Sequence, residues 1–269
     1  MPPLTLISWN VNSLRRRLDQ LARLTEAHAL DVISLQETKV SDADFPHDAV
    51  AALGWTHRAV HGFGGRNGVA ILSRWPLSDA TPHARRGRPD GRHLSARVHT
   101  PGAPLDVHAL YVPAGGEAPD PRINPKFADK LAFIDDCADH FAGAYGFRDP
   151  VILTGDLNIA PLPSDVWDHH LMSRRIGHTA YDIAALDRLR RSLNFIDAVR
   201  EIVPPDDPVF TWWSYRQSEF RVDSKGWRLD HIWVSPGLKD AIAHAEVLVD
   251  ARHWTPPSDH APVLVKLRT

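Results

Sequence analysis

Short apolar runs rich in β-branched residues recur along the whole chain, at 4–9, 31–35, 68–72, 94–98, 105–112, 151–154, 229–234 and 262–267. Their length and turn-rich flanks predict strands. Three stretches between them, 14–27, 124–141 and 183–193, carry a helical pattern. In the second, Phe127, Leu131, Ile134, Cys137 and Phe141 fall on one helical face. Strands and helices alternate irregularly, and turns such as Pro101-Gly102-Ala103-Pro104 join some strand pairs. The pattern therefore predicts a mixed sheet and not a regular parallel array. No long Gly/Ser linker, repeat or low-complexity tract divides the chain, and its 22 prolines punctuate short loops. A single domain over 1–269 is expected.

Composition narrows the class. The 31 basic and 33 acidic residues leave a formal charge of -2, which weighs against a protein that coats nucleic acid nonspecifically. A local basic face remains open at Arg15-Arg16-Arg17, Arg85-Arg86 with Arg88, Arg174-Arg175 and Arg190-Arg191, against the plainer reading of solvated turns. Cys137 is the only cysteine, so neither an internal disulfide nor a Cys-rich zinc site can form, and its spacing places it in the core. The first residues carry no signal-peptide pattern and no apolar run reaches about 18 residues. A reducing cytoplasm, with no membrane contact, is the expected location.

Polar groups cluster where the predicted strands end. Residues 6–9 lead to Asn10 and Asn12, 32–36 to Glu37, 107–110 to Tyr111, and 151–155 to Asp156 and Asn158. Asp230 stands before His231, and the last strand follows Asp259 and His260. Asp156 and Asn158 share a side if the chain is extended, and Gly155 allows close approach of backbone or ligand. Each fragment alone fits a turn former or a helix cap, Asn10 and Asn12 especially. Six together favour one ligand site, because open α/β folds gather ligands at strand ends. Glu37, Asp259 and Asn10 offer hard oxygens suited to Mg²⁺ or Mn²⁺. The sixteen histidines show no local zinc spacing and read mostly as surface residues. His260, beside an Asp, is the exception. Metal, carboxylate, imidazole and amide together suit in-line attack of water on a phosphodiester.

These residues resemble a known family. Ser8-Trp9-Asn10-Val11-Asn12, Leu35-Gln36-Glu37-Thr38-Lys39, Asn67-Gly68-Val69-Ala70-Ile71-Leu72-Ser73, Gly155-Asp156-Leu157-Asn158, Phe210-Thr211-Trp212-Trp213-Ser214-Tyr215-Arg216, Arg228-Leu229-Asp230-His231 and Ser258-Asp259-His260-Ala261-Pro262 match, in order, the motifs of the exonuclease III family of AP endonucleases. The resemblance covers essentially the whole chain. It implies a four-layer α/β-sandwich, two packed mixed β-sheets flanked by helices. It implies Glu37 as principal metal ligand, with Asn10 and Asp259 nearby, directly or through water. Asp156 is implied to handle the attacking water or the leaving group, Asn158 and Tyr111 to hold the phosphate, and His260, oriented by Asp230, to stabilise charge or act as base. Trp213, with Trp212 and Phe210, resembles an aromatic wall for a base-free sugar; core packing is the alternative for each. Two positions depart from the pattern: Ala114 stands where such enzymes carry Asn or Gln able to touch a DNA phosphate, and Ser13 where Gly is frequent. The stretch 162–186 shows no pattern that matches.

The implied activity is a Mg²⁺-dependent DNA repair nuclease incising 5′ to abasic sites, with 3′-5′ exonuclease or 3′-phosphatase activity alongside. The implied partner is double-stranded DNA with an abasic site or a 3′ end. The chain is expected to act as a monomer, at the nucleoid when on DNA. A phosphodiesterase for RNA, a nucleotide or a phospholipid headgroup shares the same core residues, and a substrate panel separates the two. A DNA-binding protein with a dead site is a third reading, opposed by the presence of Glu37, Asp156 and His260.

Overall fold

In a computed structural model, which describes residues 3–84, 87, 89–216 and 220–268, the chain forms two six-stranded sheets. Arg85, Arg86 and Arg88 lie outside the described residues. In chain order the elements are β1 (Leu4–Asn10), α1 (Leu18–Ala27), β2 (Val32–Gln36), α2 (His47–Ala52), β3 (His57–Phe63), β4 (Arg66–Ser73), β5 (Leu77–Pro82), β6 (His93–Val98) and β7 (Leu105–Tyr111). There follow α3 (Pro125–Ala144), β8 (Val151–Asp156), α4 (His169–Met172), α5 (Ala180–Ser192), β9 (Ile196–Asp197), β10 (Asp230–Val234), β11 (Ile242–Val247) and β12 (Val263–Leu267). The first sheet runs β11-β12-β1-β2-β4-β3 and the second β5-β6-β7-β8-β10-β9. Both are mixed, because β1–β2 and β7–β8 pair in parallel beside antiparallel neighbours.

Alternation along each strand assigns the layers. Leu4, Leu6 and Val32 of the first sheet pack with Val107, Ala109, Ile152 and Ile232 of the second in one shared core. The intervening residues face outward. Ile7, Trp9 and Ile33 meet Leu21 and Leu24 of α1 and Val50 of α2. Leu110, Val151 and Leu153 meet Phe133, Cys137 and Phe141 of α3 and Leu186 and Leu189 of α5. Helix, sheet, sheet, helix is the four-layer order that the resemblance implies.

Two backbone positions explain residues singled out in the sequence. A Cβ on Gly155 would lie 1.8 Å from the carbonyl oxygen of Leu110, so this glycine serves the contact of β8 with β7 and not a ligand. Ser13 sits at φ 92°, ψ 103°, a region costly for any residue with a Cβ; that is why Gly suits the position. The predicted helix 14–27 is divided, a 3-10 turn at Leu14–Arg16 preceding α1. Between the two, Arg17 is buried and donates to the carbonyl of Pro257 at 2.7 Å and the hydroxyl of Tyr215 at 3.0 Å. Arg174, Arg175, Arg190 and Arg191 are exposed, and the last two pair with Asp187.

Candidate active site

The inner faces of the two sheets change character along the strands. On β1 the inward series reads Leu4, Leu6, Ser8, Asn10; on β8 it reads Ile152, Thr154, Asp156. Apolar residues fill the middle of the sandwich and hydroxyls follow. Thr154 Oγ1 and Ser34 Oγ meet across the two sheets at 2.6 Å, Thr154 donating to the His108 carbonyl at 2.7 Å, and Gln36 Nε2 donates to Ser34 Oγ at 3.0 Å. Each polar group is satisfied by the next, which lets charge be approached without an unpaired buried dipole. At the end of the series Asp230 and Tyr111 pair in register with Asp156 on either side of it, so three neighbouring strands present three functional groups in a row.

The first sheet supplies the facing groups. Asn10 Nδ2 donates to Glu37 Oε1 at 2.8 Å and to Asp156 Oδ2 at 3.0 Å, and Tyr111 donates its hydroxyl to Glu37 Oε1 at 2.8 Å. Glu37 follows β2 at φ 50°, which turns its side chain across the inter-sheet gap. His260 places Nδ1 2.8 Å from Asp230 Oδ2 and Nε2 3.7 Å from Asp156 Oδ2. Ligand atoms of Glu37, Asp156 and His260 lie within 4.8 Å of one another. Asp259 stands apart from that group, its oxygens accepting from Asn12 Nδ2 at 2.9 Å and Trp212 Nε1 at 3.0 Å. The side chains of Asn10 and Asn12 are thus spent on carboxylates, and the 3-10 turn that follows has no side-chain cap.

Asn158 reaches Asp156 by a turn and not by extension. Its φ is 52°, its backbone N–H donates to Asp156 Oδ1 at 2.9 Å, and Nδ2 donates to the Val112 carbonyl at 2.9 Å. Beneath it Lys130 of α3, sealed from solvent, donates to the Asn158 carbonyl at 2.9 Å and pairs with Asp182 at 2.7 Å. Asp182 also accepts from Thr179 in a capping box at the start of α5. The unmatched stretch therefore ends in the prop under Asn158.

Electrostatics divides the titratable groups. Burial pushes the Asp156 carboxyl up to about 7, against the pull of the His260 charge and with the Asp230 carboxylate adding to the rise. Burial alone lowers His260, but the carboxylates of Asp230 and Asp156 outweigh it and hold the imidazole at about 10. His260 is therefore an imidazolium at neutral pH. Burial likewise raises Glu37, yet hydrogen bonds from Asn10 and Lys39 leave it below the usual carboxylate range. Tyr111 is driven well above its ordinary value by burial and by the charges of Glu37 and Asp156, so it stays a donor.

The donor set fits a hard divalent cation. Glu37 is ionised, Asp156 adds carboxylate oxygen, and the Lys39 ammonium already stands 2.8 Å from Glu37 Oε2, a place where the site holds positive charge. An imidazolium His260 offers no lone pair on the metal side, which leaves oxygen ligands.

The aromatic residues are arranged unequally. Trp212 is half-buried and fastened by its indole N–H to Asp259. Trp213 is 1% exposed, with Phe220 edge-on at 5.0 Å. Phe210 and Trp213 line a cavity of about 740 Å³ whose walls include none of Glu37, Asp156 or His260. Ala114 is exposed beside the site. Residues that the strand-end reading left without a role are Lys39, Asn12 and Thr211; Thr211 Oγ1 donates to Asp230 Oδ2 at 2.6 Å. Their signal was adjacency, since each sits within a quoted motif.

Residues 7–260 match the endonuclease/exonuclease/phosphatase family. Exodeoxyribonuclease III of Haemophilus influenzae is 31% identical over 274 residues, 97% of this chain and 99% of that protein. An AP endonuclease from Archaeoglobus fulgidus superposes with a TM-score of 0.91 at 27% identity, over 99% of this chain and 100% of its own. A 3′-5′ exonuclease from Neisseria meningitidis does so with a TM-score of 0.88 at 30% identity, over the same shares.

Proposed function

The chain belongs to the endonuclease/exonuclease/phosphatase family, and on that premise we propose that residues 1–269 form one catalytic domain, a monomer, that incises duplex DNA 5′ to abasic sites and trims 3′ ends. It is a hydrolase of the exodeoxyribonuclease III kind. The observation that carries the reading is the meeting of Glu37, Asp156 and His260 within 4.8 Å at the end of the inter-sheet gap.

Hydrolysis forms a bond from water oxygen to phosphorus and breaks the bond from phosphorus to the 3′ oxygen, which leaves with the bonding pair and takes a proton from solvent. Asp156, at about 7, is poised to take the water's proton near neutral pH. The His260 imidazolium faces the charge that develops on the phosphoryl oxygens, and Asp230 keeps that charge in place. Tyr111 on β7 and Asn158 in the turn after β8 offer neutral donors beside Asp156. Glu37, with Asn10 and Asp259 alongside, directly or through water, would hold Mg²⁺ or Mn²⁺, which would supply Lewis-acid charge at the phosphate. Trp212, fastened to Asp259, offers the aromatic face on which the base-free sugar rests, while Phe210 and Trp213, the other two candidates, line a separate cavity.

The test is a panel of end-labelled duplexes bearing an abasic site, a recessed 3′ end or a 3′-phosphate, each with Mg²⁺, Mn²⁺ or EDTA. Incision 5′ to the abasic site in Mg²⁺, abolished by EDTA, is expected. Preference for RNA or a small phosphodiester, or cleavage that survives EDTA, overturns the reading.

A further inference from the structure

Four histidines meet on the side of the second sheet that faces α3, away from the inter-sheet gap. His83 follows β5, His93 opens β6, His108 lies in β7 and His140 in α3. One ring nitrogen from each lies within 4.8 Å of the others. Strand alternation places them there: Leu94, Ala96, Val107 and Ala109 face the shared core, so His93 and His108 face the helix. The His83 N–H donates to the His93 carbonyl at 2.9 Å, which fixes those two side by side. His93 and His108 are fully buried, contrary to the surface positions expected of the histidines. Phe141 of α3 stands 6.1 Å and 4.8 Å from the two rings, centroid to centroid, in a layer that aliphatic side chains would fill at lower cost.

Ring nitrogens of all four residues converge. His108 Nε2 lies 2.8 Å from the Tyr145 hydroxyl, and its Nδ1 lies 2.9 Å from His93 Nε2. His83 Nε2 lies 2.8 Å from Ser95 Oγ. Tyr145 and Ser95 thus stand where outer partners of metal-bound imidazoles stand, holding the ring on the side away from the ion. We propose that His83, His93, His108 and His140 form a site for one borderline divalent transition ion, of which Zn²⁺ is the representative, tying β5, β6 and β7 to α3. Four imidazoles without a carboxylate select such an ion over Mg²⁺, so this site and the centre at Glu37 sort their ions by chemistry. Tetrahedral zinc with nitrogens at about 2.0–2.1 Å separates its ligands by about 3.3 Å. His93 and His108 need therefore open by only a few tenths of an ångström, and the proton between them passes to a nitrogen facing away from the ion, on His108 to Nε2 beside the Tyr145 hydroxyl, so that each ring binds as a neutral imidazole.

The full chain is dialysed against Zn²⁺ and its metal content measured, with Co²⁺ as a spectroscopic probe. We expect about one tightly held zinc per chain, a raised Tm, and intense visible bands of tetrahedral cobalt. His83→Gln/His140→Gln, at two half-buried rim positions outside the catalytic centre, is expected to lose zinc affinity by more than about 100-fold while still cleaving DNA in Mg²⁺, which also reports that it folds. His83→Gln alone is expected to fall between the two. Glu37→Gln should hold zinc as the parent does. No zinc uptake by the parent overturns the proposal; so does zinc uptake unchanged in the double variant, or lost with Glu37→Gln.

Discussion

Asp230→Asn removes one charge and almost nothing else. Asp230 Oδ2 accepts from both His260 Nδ1 at 2.8 Å and Thr211 Oγ1 at 2.6 Å, and the amide oxygen of an Asn can accept both. The new NH₂ points where Oδ1 has no partner, a cost of about 1–3 kcal/mol that leaves the fold standing. The charge matters more. Two unit charges about 4 Å apart interact by about 4 kcal/mol at an effective dielectric constant of about 20, equivalent to about three pKa units. Asp230 is the foremost of the carboxylates that, with Asp156 and Asp259 and against the effect of burial, hold His260 at about 10. Without Asp230 the imidazole falls back to about 7, so the imidazolium fraction is about nine-tenths at pH 6 and about one-tenth at pH 8. The assay is single-turnover incision of an abasic duplex at saturating enzyme, the variant read as a ratio to the parent at each pH. The deficit of Asp230→Asn should widen about tenfold between pH 6 and pH 8. A control, His260→Gln, should show the opposite trend, a deficit that narrows from pH 6 to pH 8, because Asp156 loses the charge that holds its carboxyl down. A flat ratio for Asp230→Asn refutes the reasoning, because it would mean that Asp230 only holds the ring in place.

Three further outcomes follow from the same geometry. Glu37→Gln should raise the Mg²⁺ concentration for half-maximal cleavage by at least about tenfold, about 1.4 kcal/mol of lost cation attraction, read from a metal titration. Ser13→Gly should relieve the strain at φ 92° and stabilise the protein by about 1 kcal/mol in urea denaturation, the net of about 1–3 kcal/mol relieved and up to about 1 kcal/mol of added backbone entropy. Lys130→Met leaves Asp182 buried and uncompensated and should destabilise by about 3–5 kcal/mol; adding Asp182→Asn should recover most of it, because the charge goes while the bonds to Thr179 remain.

What the sequence reveals of the fold divides by position in the sheets. All eight predicted strands are present. The four missed, β3, β5, β9 and β11, are the four edges of the two sheets. An edge strand is covered less, so β5, Leu77–Pro82, is half-buried at best along its length and includes a proline, and it carries no apolar run. Helix α2 escapes because His47–Ala52 is six residues with one buried side chain, Val50. The site is more legible than the edges, since every strand that feeds it is central and ends in a polar residue that packing does not need. Lys130 and Asp182 were invisible because their partnership spans two helices, and a charged residue inside a helical pattern reads as solvated. The histidine cluster is the extreme case: four separate elements each contribute one ring, and no local spacing announces it.

The central claim is that Asp156 performs the proton transfer in a site that also binds the duplex without it. Single-turnover incision by Asp156→Asn, with binding of the abasic duplex measured in parallel in Mg²⁺, tests it most directly. The account predicts duplex binding close to the parent's and incision slower by about three or more orders of magnitude. Incision at the parent's rate would contradict it.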